Sequence, residues 1–278
     1  MLKRFVKFIC VVLCIAMLLP FAAVAEGGDQ EGLDLNYWIT KIPYQETFPN
    51  PFSDVTADSW YDFACRFVFN TGFMVGTSET TFSPHTYVTR EMAALIIAKI
   101  CMRDVYFPSL GQSSLEFYCR DRASIPHYEN YYFKDVEPGK WYSDAVQWAY
   151  EKGVTEGIGD GYFGVGQPVT REDFLTMLYK VVDTYGMKIY DHDKLPKLAE
   201  PVADYAVEAV DFFRHKHYRD YGISLPTVDN IPAVINGFPD GTYHLKDYVT
   251  RAEIAAMIVI LTPYPNYRIK SEMCKTYT

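Results

Sequence analysis

The phrase Val-Thr-Arg occurs three times in this chain, and its spacing limits the fold more than any other feature does. The three copies extend to VTREM at 88–92, VTRED at 169–173 and VTRAE at 249–253. A shift of 81 residues places the first copy on the second without a gap, and a shift of 80 places the second on the third. Self-similarity at a fixed period is typical of repeat proteins, in which one unit buries its apolar face against the next. We therefore expect three copies of one structural unit.

The similarity between the copies extends upstream of the repeated phrase. Trp60 aligns with Trp141 at the shift of 81 residues. The first half of the third copy aligns only at a shift of 64 residues, where Tyr205 takes the position of the tryptophan. The shifts of 80 and 64 differ by 16 residues, so we expect an insertion in the third copy at about 214–235.

Apolar residues in each copy follow the spacing of two amphipathic helices joined by a glycine-rich loop. Gly72 and Gly153 stand where the first helix is expected to end. The second helix has apolar residues at relative positions 0, 3, 4 and 7, which form one face of an α-helix. These positions are Ala93, Ile96, Ile97 and Ile100; Phe174, Met177, Leu178 and Val181; and Ile254, Met257, Ile258 and Leu261. The predicted fold class is all-α, with three helix-loop-helix repeats packed as one pseudo-threefold unit.

The chain ends and the repeats divide the sequence into segments. Residues 1–25 are expected to form a signal peptide, because three cations precede an apolar run and Ala-Val-Ala precedes Glu26. No later apolar run approaches the roughly 18–20 residues that span a bilayer, so we expect an exported chain without membrane insertion. The other predicted segments are a lead segment at 26–49, repeat 1 at 50–102, a linker at 103–130, repeat 2 at 131–182, a linker at 183–196, repeat 3 at 197–261 and a tail at 262–278.

The charge and the cysteine content limit the partners of the chain. The net charge is −9, and removal of residues 1–25 would make it −12 because three cations and no acid are lost. Such a protein repels nucleic acid and anionic lipid at long range, so no nucleic-acid partner is expected. The cysteines that follow the predicted signal peptide are Cys65, Cys101, Cys119 and Cys274. Disulfides and buried free thiols are equally good interpretations for them.

Each repeated phrase stands at the expected start of a second helix. Its threonine can accept a hydrogen bond from an unpaired backbone N–H, and Thr250 with Glu253 matches the Thr-x-x-Glu capping box. Asp173 fills the acidic position less well in the second copy, and Met92 does not fill it in the first. Capping does not explain the arginine, which faces the positive end of the helix dipole at a cost of roughly 0.3–1 kcal/mol.

Two kinds of anion could compensate for Arg90, Arg171 and Arg251. One is internal, because Asp54 and Asp135 each lie 36 residues before an arginine of the same copy. The other is a bound carboxylate or phosphate, which a guanidinium beside free helix N–H groups accommodates. The residues alone favour the internal pair and leave the bound anion open.

The combined pattern resembles the S-layer homology repeat, a module that exported bacterial proteins use in threes to hold the cell wall. The resemblance rests on Phe-x-Asp-Val, a Trp followed by Ala four residues later, Gly-(x)3-Gly, an aromatic residue after the turn and Val-Thr-Arg-Glu. It covers 50–101, 131–182 and 197–261. The family implies one helix from each repeat in a central bundle. It also implies grooves between neighbouring repeats that bind secondary cell-wall polymer noncovalently, commonly through a glycan end that carries a ketal-linked pyruvate.

The resemblance implies roles for seven residues at these grooves. The expected glycan-binding residues are Arg90, Arg171, Arg251, Asp54, Asp135, Trp60 and Trp141. The arginines would meet the carboxylate, the acids would orient the arginines or accept sugar hydroxyls, and the tryptophans would stack on sugars. Spacing alone favours a core position for both tryptophans, because each begins an apolar stripe. The third copy departs from the family pattern, since Lys197, Ala199 and Tyr205 replace Phe, Asp and Trp.

Other chemistry has weaker support in the sequence. No pair of carboxylates stands out beyond the repeat, so an enzyme is not predicted. No P-loop or dinucleotide-binding fingerprint is present in the sequence, so no cofactor is expected. His215 and His217 in the insertion form an HxH pattern, which is more often solvated or packed than a metal site, so no metal site is predicted.

The expected function is noncovalent attachment of an exported protein to the bacterial cell wall. The expected partner is secondary cell-wall polysaccharide or a peptidoglycan-linked glycan, and the expected location is the cell wall or cell surface, as in an S-layer. The alternative is a structural or protein-interaction module at the cell surface that has lost glycan binding, with an unidentified surface protein as its partner.

Overall fold

The described part of the chain is predominantly helical. The structure is a computed structural model that describes residues 48–104, 120–121, 125–183, 187–189, 195, 197–219, 233–238, 240–261 and 268–269. The helices in these ranges are α1 (Asp62–Asn70), α2 (Arg90–Met102), α3 (Ser143–Glu151), α4 (Arg171–Val181), α5 (Val207–Arg214), preceded by a 3-10 turn (Asp204–Ala206), and α6 (Arg251–Leu261). The predicted all-α class is confirmed for these residues. The predicted signal peptide lies outside them.

Short two-stranded antiparallel ribbons join segments that are distant in sequence. They pair β1 (Arg103–Asp104) with β2 (Arg120–Asp121), β3 (Val182–Asp183) with β6 (Arg268–Ile269), and β4 (Met187–Ile189) with β5 (His217–Arg219). None of these strands exceeds three residues, so the described residues contain no extended sheet. Sequence analysis did not predict them, because two or three residues are too few to display an alternating pattern.

The second helix of each copy packs against the first helix of the next copy. Thus α2 packs against α3, α4 against α5, and α6 against α1. The twelve apolar positions predicted for the second helices are all buried. The predicted apolar faces of the three second helices are therefore confirmed. Burial of these side chains is the main favourable contribution to folding.

Three valines from the repeated phrases bond to one another through their backbones. The amide of Val88 donates to the carbonyl of Val249 (3.0 Å), that of Val249 to the carbonyl of Val169 (3.0 Å), and that of Val169 to the carbonyl of Val88 (2.9 Å). All three valines have no exposed surface. Because buried backbone groups require partners, this closed ring fixes the starts of α2, α4 and α6 relative to one another.

The first helix of each copy begins later than its apolar stripe suggested. Trp60, Trp141 and Tyr205 each lie two residues before the α-helix that follows them. Their exposed fractions are 37%, 57% and 61%. The core position that spacing favoured for the tryptophans is therefore wrong. The neighbouring Tyr61 and Tyr142 are buried instead.

Gly72 and Gly153 end the first helix of their copies, as predicted. Both residues have left-handed backbone angles, with φ of +73° and +67°. This conformation favours glycine because it lacks a Cβ atom, and it stops the helix while the chain turns toward the loop.

Two of the cysteines lie in the helical core. Cys65 is a free thiol with no exposed surface, and Cys101 is also buried. Burial raises the pKa of the Cys65 thiol to about 12, so its reactive thiolate form is scarce at neutral pH. Cys119 and Cys274 lie outside the described residues.

Candidate functional site

The three repeated arginines reach from one copy into the loop of another. Each donates its Nε–H to the backbone carbonyl of an aromatic residue in that loop. The pairs are Arg90 with Phe163 (2.9 Å), Arg171 with Tyr243 (3.0 Å) and Arg251 with Phe82 (2.8 Å). The arginines are 9%, 6% and 6% exposed. Each guanidinium therefore crosslinks two copies beneath the surface.

In the first two copies, an aspartate that precedes the first helix binds the same loop from the other side. Asp54 accepts from the amides of Phe82 (2.8 Å) and Ser83 (2.7 Å). Asp135 accepts from the amides of residues 163–165. Burial alone would raise the pKa of Asp135, but these three amide donors lower it. The internal Asp54–Arg90 and Asp135–Arg171 pairs that the sequence favoured are therefore wrong, because both acids bind the backbone of their own loop.

The third copy uses Glu200 to hold its loop. The two carboxylate oxygens of Glu200 accept from the amides of Tyr243 and Leu245, the second at 2.8 Å. The alignment at a shift of 64 residues places Ala199 at the position of Asp135, so the sequence did not predict a role for Glu200. Glutamate is one methylene longer than aspartate, so an acid displaced by one residue still reaches the loop. An alignment that tolerated this offset would have found it.

Two of the arginines also meet an acid in the first turn of the next second helix. The Nη1 atom of Arg90 lies 3.6 Å from Oδ2 of Asp173, and Nη1 of Arg171 lies 2.8 Å from Oε1 of Glu253. Arg251 differs: its Nη2 donates to the carbonyl of Val75, and it forms no ion pair among the described residues. Met92 stands at the corresponding position of the first copy.

The same first-turn position decides how each helix start is capped. In the third copy, Glu253 accepts from the amide and hydroxyl of Thr250 and donates its own amide to that hydroxyl, which confirms the predicted capping box. In the second copy, the Thr170 hydroxyl accepts from the amide of Asp173 (3.2 Å). In the first copy, the buried Oγ1 of Thr89 has no hydrogen-bond partner, so the predicted cap is wrong there.

These contacts mark three positions between neighbouring copies, which we call the Arg90, Arg171 and Arg251 grooves. The Arg171 groove contains a cavity of about 150 Å³ lined by Arg171, Glu253, Trp60 and Phe238, with apolar side chains of α6 on its wall. The guanidinium of Arg171 lies 5.4 Å from the centre of the Phe238 ring. A buried cation and a partly exposed aromatic face thus border the same space, and the ion pair with Glu253 balances the charge of the arginine.

The Arg90 groove is formed by Arg90, Asp173 and Tyr205, and its polar groups bond to one another. The Tyr205 hydroxyl donates to Oδ1 of Asp173 at 2.7 Å, while Oδ2 faces Arg90. Burial and the Asp173 carboxylate together raise the pKa of Tyr205, so the hydroxyl stays protonated and keeps donating. Asp173 thus accepts a hydrogen bond from Tyr205 and forms an ion pair with Arg90.

By correspondence of sequence position alone, Arg251, Met92 and Trp141 are the residues assigned to the Arg251 groove. Val75, whose carbonyl binds the guanidinium, is 60% exposed, so the outer edge of Arg251 lies just beneath the surface. Trp141 is 57% exposed. The first-turn side chain in this groove carries no charge.

The S-layer homology domain model matches residues 132–175, a segment that includes the second repeated phrase, Arg171 and the loop held by Asp135. Residues 132–175 are therefore identified as an S-layer homology segment. The matched segment coincides with most of the predicted second repeat, and the same arginine contacts recur in the other two copies.

Several curated proteins are similar to this chain over a longer stretch. A cellulosome-anchoring protein of Acetivibrio thermocellus is 26% identical over 186 residues, which is 67% of this chain and 34% of the relative. Cell surface glycoprotein 1 of the same organism is 26% identical over 194 residues, 67% of this chain and 7% of the relative. An endoglucanase of a Bacillus species is 30% identical over 133 residues, 48% of this chain and 12% of the relative. The chain spans about a third or less of the length of these relatives.

The S-layer homology segment, the cellulosome-anchoring relative and the cell surface glycoprotein together indicate a location at the cell wall or cell surface, and they support attachment to the wall in general terms. No helix among the described residues is long and apolar enough to cross a bilayer. The described residues also contain no cluster of three His, Cys, Asp or Glu side chains able to hold a metal ion. Of the HxH pair, His217 is 2% exposed and packs 4.3 Å from the ring of Phe212.

Proposed function

We propose that this chain attaches an exported protein to the bacterial cell wall by binding an anionic secondary wall polysaccharide in its inter-repeat grooves. The observation that carries the proposal is the shared cavity of Arg171 and Trp60. An aromatic face stacks on a sugar ring, and a guanidinium recognises a carboxylate or sugar oxygens. A groove with both groups suits one sugar unit and its acidic substituent.

We also propose that the three repeats form one pseudo-threefold unit with the boundaries given above. The closed ring of valine hydrogen bonds supports this arrangement. The three arginine contacts and the packing of each second helix on the next first helix follow the same order. A rigid body with several grooves multiplies weak individual affinities, which suits attachment to a polymer with many equivalent sugars.

The role that we propose is not catalytic. Some relatives have enzyme names, including an amylopullulanase, an exoglucanase and an endoglucanase, but this chain spans only 9%, 16% and 12% of them. The S-layer homology segment and the cellulosome-anchoring relative fit a binding module better than an active site.

A structural module without glycan affinity is the alternative. Two observations favour it. The arginines bind backbone carbonyls of neighbouring copies, which is a sufficient structural reason for the repeated phrase. In addition, the Tyr205–Asp173 hydrogen bond satisfies the polar groups of the Arg90 groove internally.

Retention on purified cell-wall sacculi distinguishes the two functions. We expect the full chain to sediment with sacculi, and acid removal of the secondary polymer to abolish this. Trp60→Ala should weaken retention by about tenfold or more, because stacking on one aromatic side chain is lost. The control is Tyr87→Ala, which alters an exposed aromatic residue outside the cavity lining. Sedimentation that persists after polymer removal, or that never occurs, would favour the alternative.

A further inference from the structure

His244 lies between two carboxylates at the edge of the Arg171 groove. Its Nε2 atom is 3.0 Å from Oδ2 of Asp240, and its Nδ1 atom is 2.9 Å from Oδ2 of Asp247. A neutral imidazole has one N–H and one lone pair, so one of these contacts would place a lone pair against a carboxylate. An imidazolium donates from both nitrogens. The geometry therefore suits the charged form of His244.

The two contacts of His244 link the wall of the cavity to the start of α4. Asp240 follows Phe238, a lining residue of the cavity, by two positions in the same turn. The backbone carbonyl of Asp247 accepts from the backbone amide of Arg171 at 3.0 Å. A charged His244 thus connects the turn that carries Phe238 to the segment that holds the first residue of α4.

The imidazole also packs directly on a ring that lines the cavity. The centres of the His244 and Phe238 rings are 4.1 Å apart, and their planes differ by 31°. Phe238 borders the cavity together with Trp60 and Arg171, whose guanidinium contacts the same ring. Because Phe238 is only half-buried, the core does not fix it on all sides. Its position therefore depends on these neighbours.

The backbone of His244 has a conformation that is unfavourable for histidine. Its φ is +52°, in the left-handed region that favours glycine. The second copy has Gly164 at the equivalent position (φ +88°), and the first has Ser83 (φ +59°). Neither of these side chains can donate to two carboxylates at once. Strained residues of this kind cluster at functional sites, and this one occurs in the copy whose turn lines the cavity.

Three carboxylates and one cation act on the charge of His244. Asp240 and Asp247 contact the imidazole, and Glu200 accepts from the backbone amides on both sides of it. The cation is Arg171, which contacts the ring on which the imidazole packs. The hydrogen bond with Asp240, aided by Asp247, raises the pKa of His244 despite its partial burial. The surroundings as a whole favour the imidazolium.

We propose that His244 is a positioning residue for the Arg171 groove: its charged form fixes the Phe238 turn, so the chain binds wall polymer more tightly at mildly acidic pH than at alkaline pH. This inference rests on the proposed function, and the acidic sugar substituent still meets Arg171. When His244 loses its proton, one of its two carboxylate contacts is lost and the turn is less restrained. A turn that is fixed beforehand loses less conformational entropy when a ligand binds, which increases affinity.

Two substitutions of His244 test the proposal through the pH dependence of binding to purified sacculi. Between pH 6 and pH 9 carboxyl groups stay ionised, so His244 changes charge while the acids do not. We expect the dissociation constant of the unchanged chain to rise about threefold over this range. His244→Gln is always neutral and should show the weaker affinity throughout. His244→Arg can donate to both carboxylates and stack on an aromatic ring at every pH, so it should keep the tighter affinity.

A third substitution separates positioning from simple attraction between charges. Asp247→Asn removes one partner of the imidazolium and also makes the chain less acidic. Positioning predicts weaker binding at pH 6, whereas attraction to an anionic polymer predicts tighter binding. The matched control is His127→Gln, which removes an exposed contact with Asp144 (3.1 Å) outside the cavity lining and should keep the pH dependence of the unchanged chain.

The outcomes distinguish this inference from the proposed function. If the unchanged chain binds sacculi at no pH, the proposed function fails and this inference falls with it. If it binds equally well at pH 6 and pH 9, the inference alone is wrong. A pH dependence that persists in His244→Gln also contradicts it, because another group would then be responsible. Tighter binding by Asp247→Asn at pH 6 would show that net charge, not the position of Phe238, sets the affinity.

Discussion

Arg251 donates its Nε–H to the carbonyl oxygen of Phe82 at 2.8 Å, across 169 residues of sequence. Its guanidinium also lies 4.6 Å from the centre of the Phe82 ring. This contact joins the start of the last helix to the loop of the first copy. Arg90 and Arg171 make the equivalent contacts between the other copies, so buried hydrogen bonds join the three copies in a closed series.

Replacement of this arginine should therefore destabilise the fold. In Arg251→Ala the carbonyl of Phe82 is left buried without a donor, which costs roughly 1–3 kcal/mol, and the cation–π contact is lost as well. We expect the free energy of unfolding to fall by about 2–4 kcal/mol in chemical denaturation. Lys140→Ala, which removes an exposed ion pair with Glu137, should leave the midpoint unchanged. Equal midpoints for the two variants would contradict a crosslinking role for Arg251.

Thr250 and Thr89 precede helices that are capped differently, and this difference provides a second test. Thr250→Val removes a hydroxyl that bonds with Glu253, so we expect a loss of about 1–2 kcal/mol. Thr89→Val removes a buried hydroxyl that has no partner, so stability should be unchanged or higher. Both changes keep the β-branched shape, and thermal melts of the pair isolate the cap. A loss in Thr89→Val as large as that in Thr250→Val would rule out the difference in capping.

The parts of the fold that were predictable from sequence are local. The predicted second helices are confirmed, because twelve apolar residues follow one helical period. The predicted capping box is confirmed, because Thr250 and Glu253 are only three residues apart. The start of the first helix was not predictable. Trp60 fits the apolar spacing, yet the helix begins after it, and helix boundaries are the least reliable part of such a prediction.

The partners of the candidate site were not predictable because they are not local. The arginine acceptors lie 73, 72 and 169 residues away and are backbone carbonyls, which leave no mark in the sequence. The expected partners Asp54 and Asp135 instead bind amides of the loops that receive Arg251 and Arg90. The glycan-binding roles of all seven predicted residues remain predictions.

His217 should make the protein sensitive to acid. It is 2% exposed, its Nδ1 has no hydrogen-bond partner, and burial lowers its pKa to about 4. The charge of His215 lowers this pKa further, while a hydrogen bond with the backbone of His215 and the charge of Asp211 raise it. A histidine with a lowered folded pKa gives stability that is present above its unfolded value near 6.5 and lost as pH falls toward 4. This loss amounts to about 3 kcal/mol at most.

The variant His217→Phe should reduce this acid sensitivity. Melting temperatures between pH 7 and pH 4 should fall less in His217→Phe than in the unchanged chain, because a phenylalanine cannot take up a proton. The same substitution at exposed His85 provides the matched control. Parallel profiles for the His217 variant and the unchanged chain would show that the buried ring does not titrate in this range.

His244, beside the Arg171 groove, should stabilise the fold at low pH and lose this effect at high pH, which is the opposite of His217. Its two ring nitrogens contact carboxylates, Nε2 with Asp240 (3.0 Å) and Nδ1 with Asp247 (2.9 Å), and its ring lies 4.1 Å from that of Phe238, which lines the cavity. The hydrogen bond with Asp240, aided by Asp247, raises the pKa of His244. Its stabilising effect is thus full below the unfolded value near pH 6.5 and is lost as pH rises through the raised folded value. Because the side chain is 36% exposed, solvent screening limits the effect to roughly 0.2–1 kcal/mol.

We expect His244→Gln to lower the melting temperature at pH 6 but not at pH 9. A decrease of equal size at both pH values would show that the histidine acts through shape rather than charge.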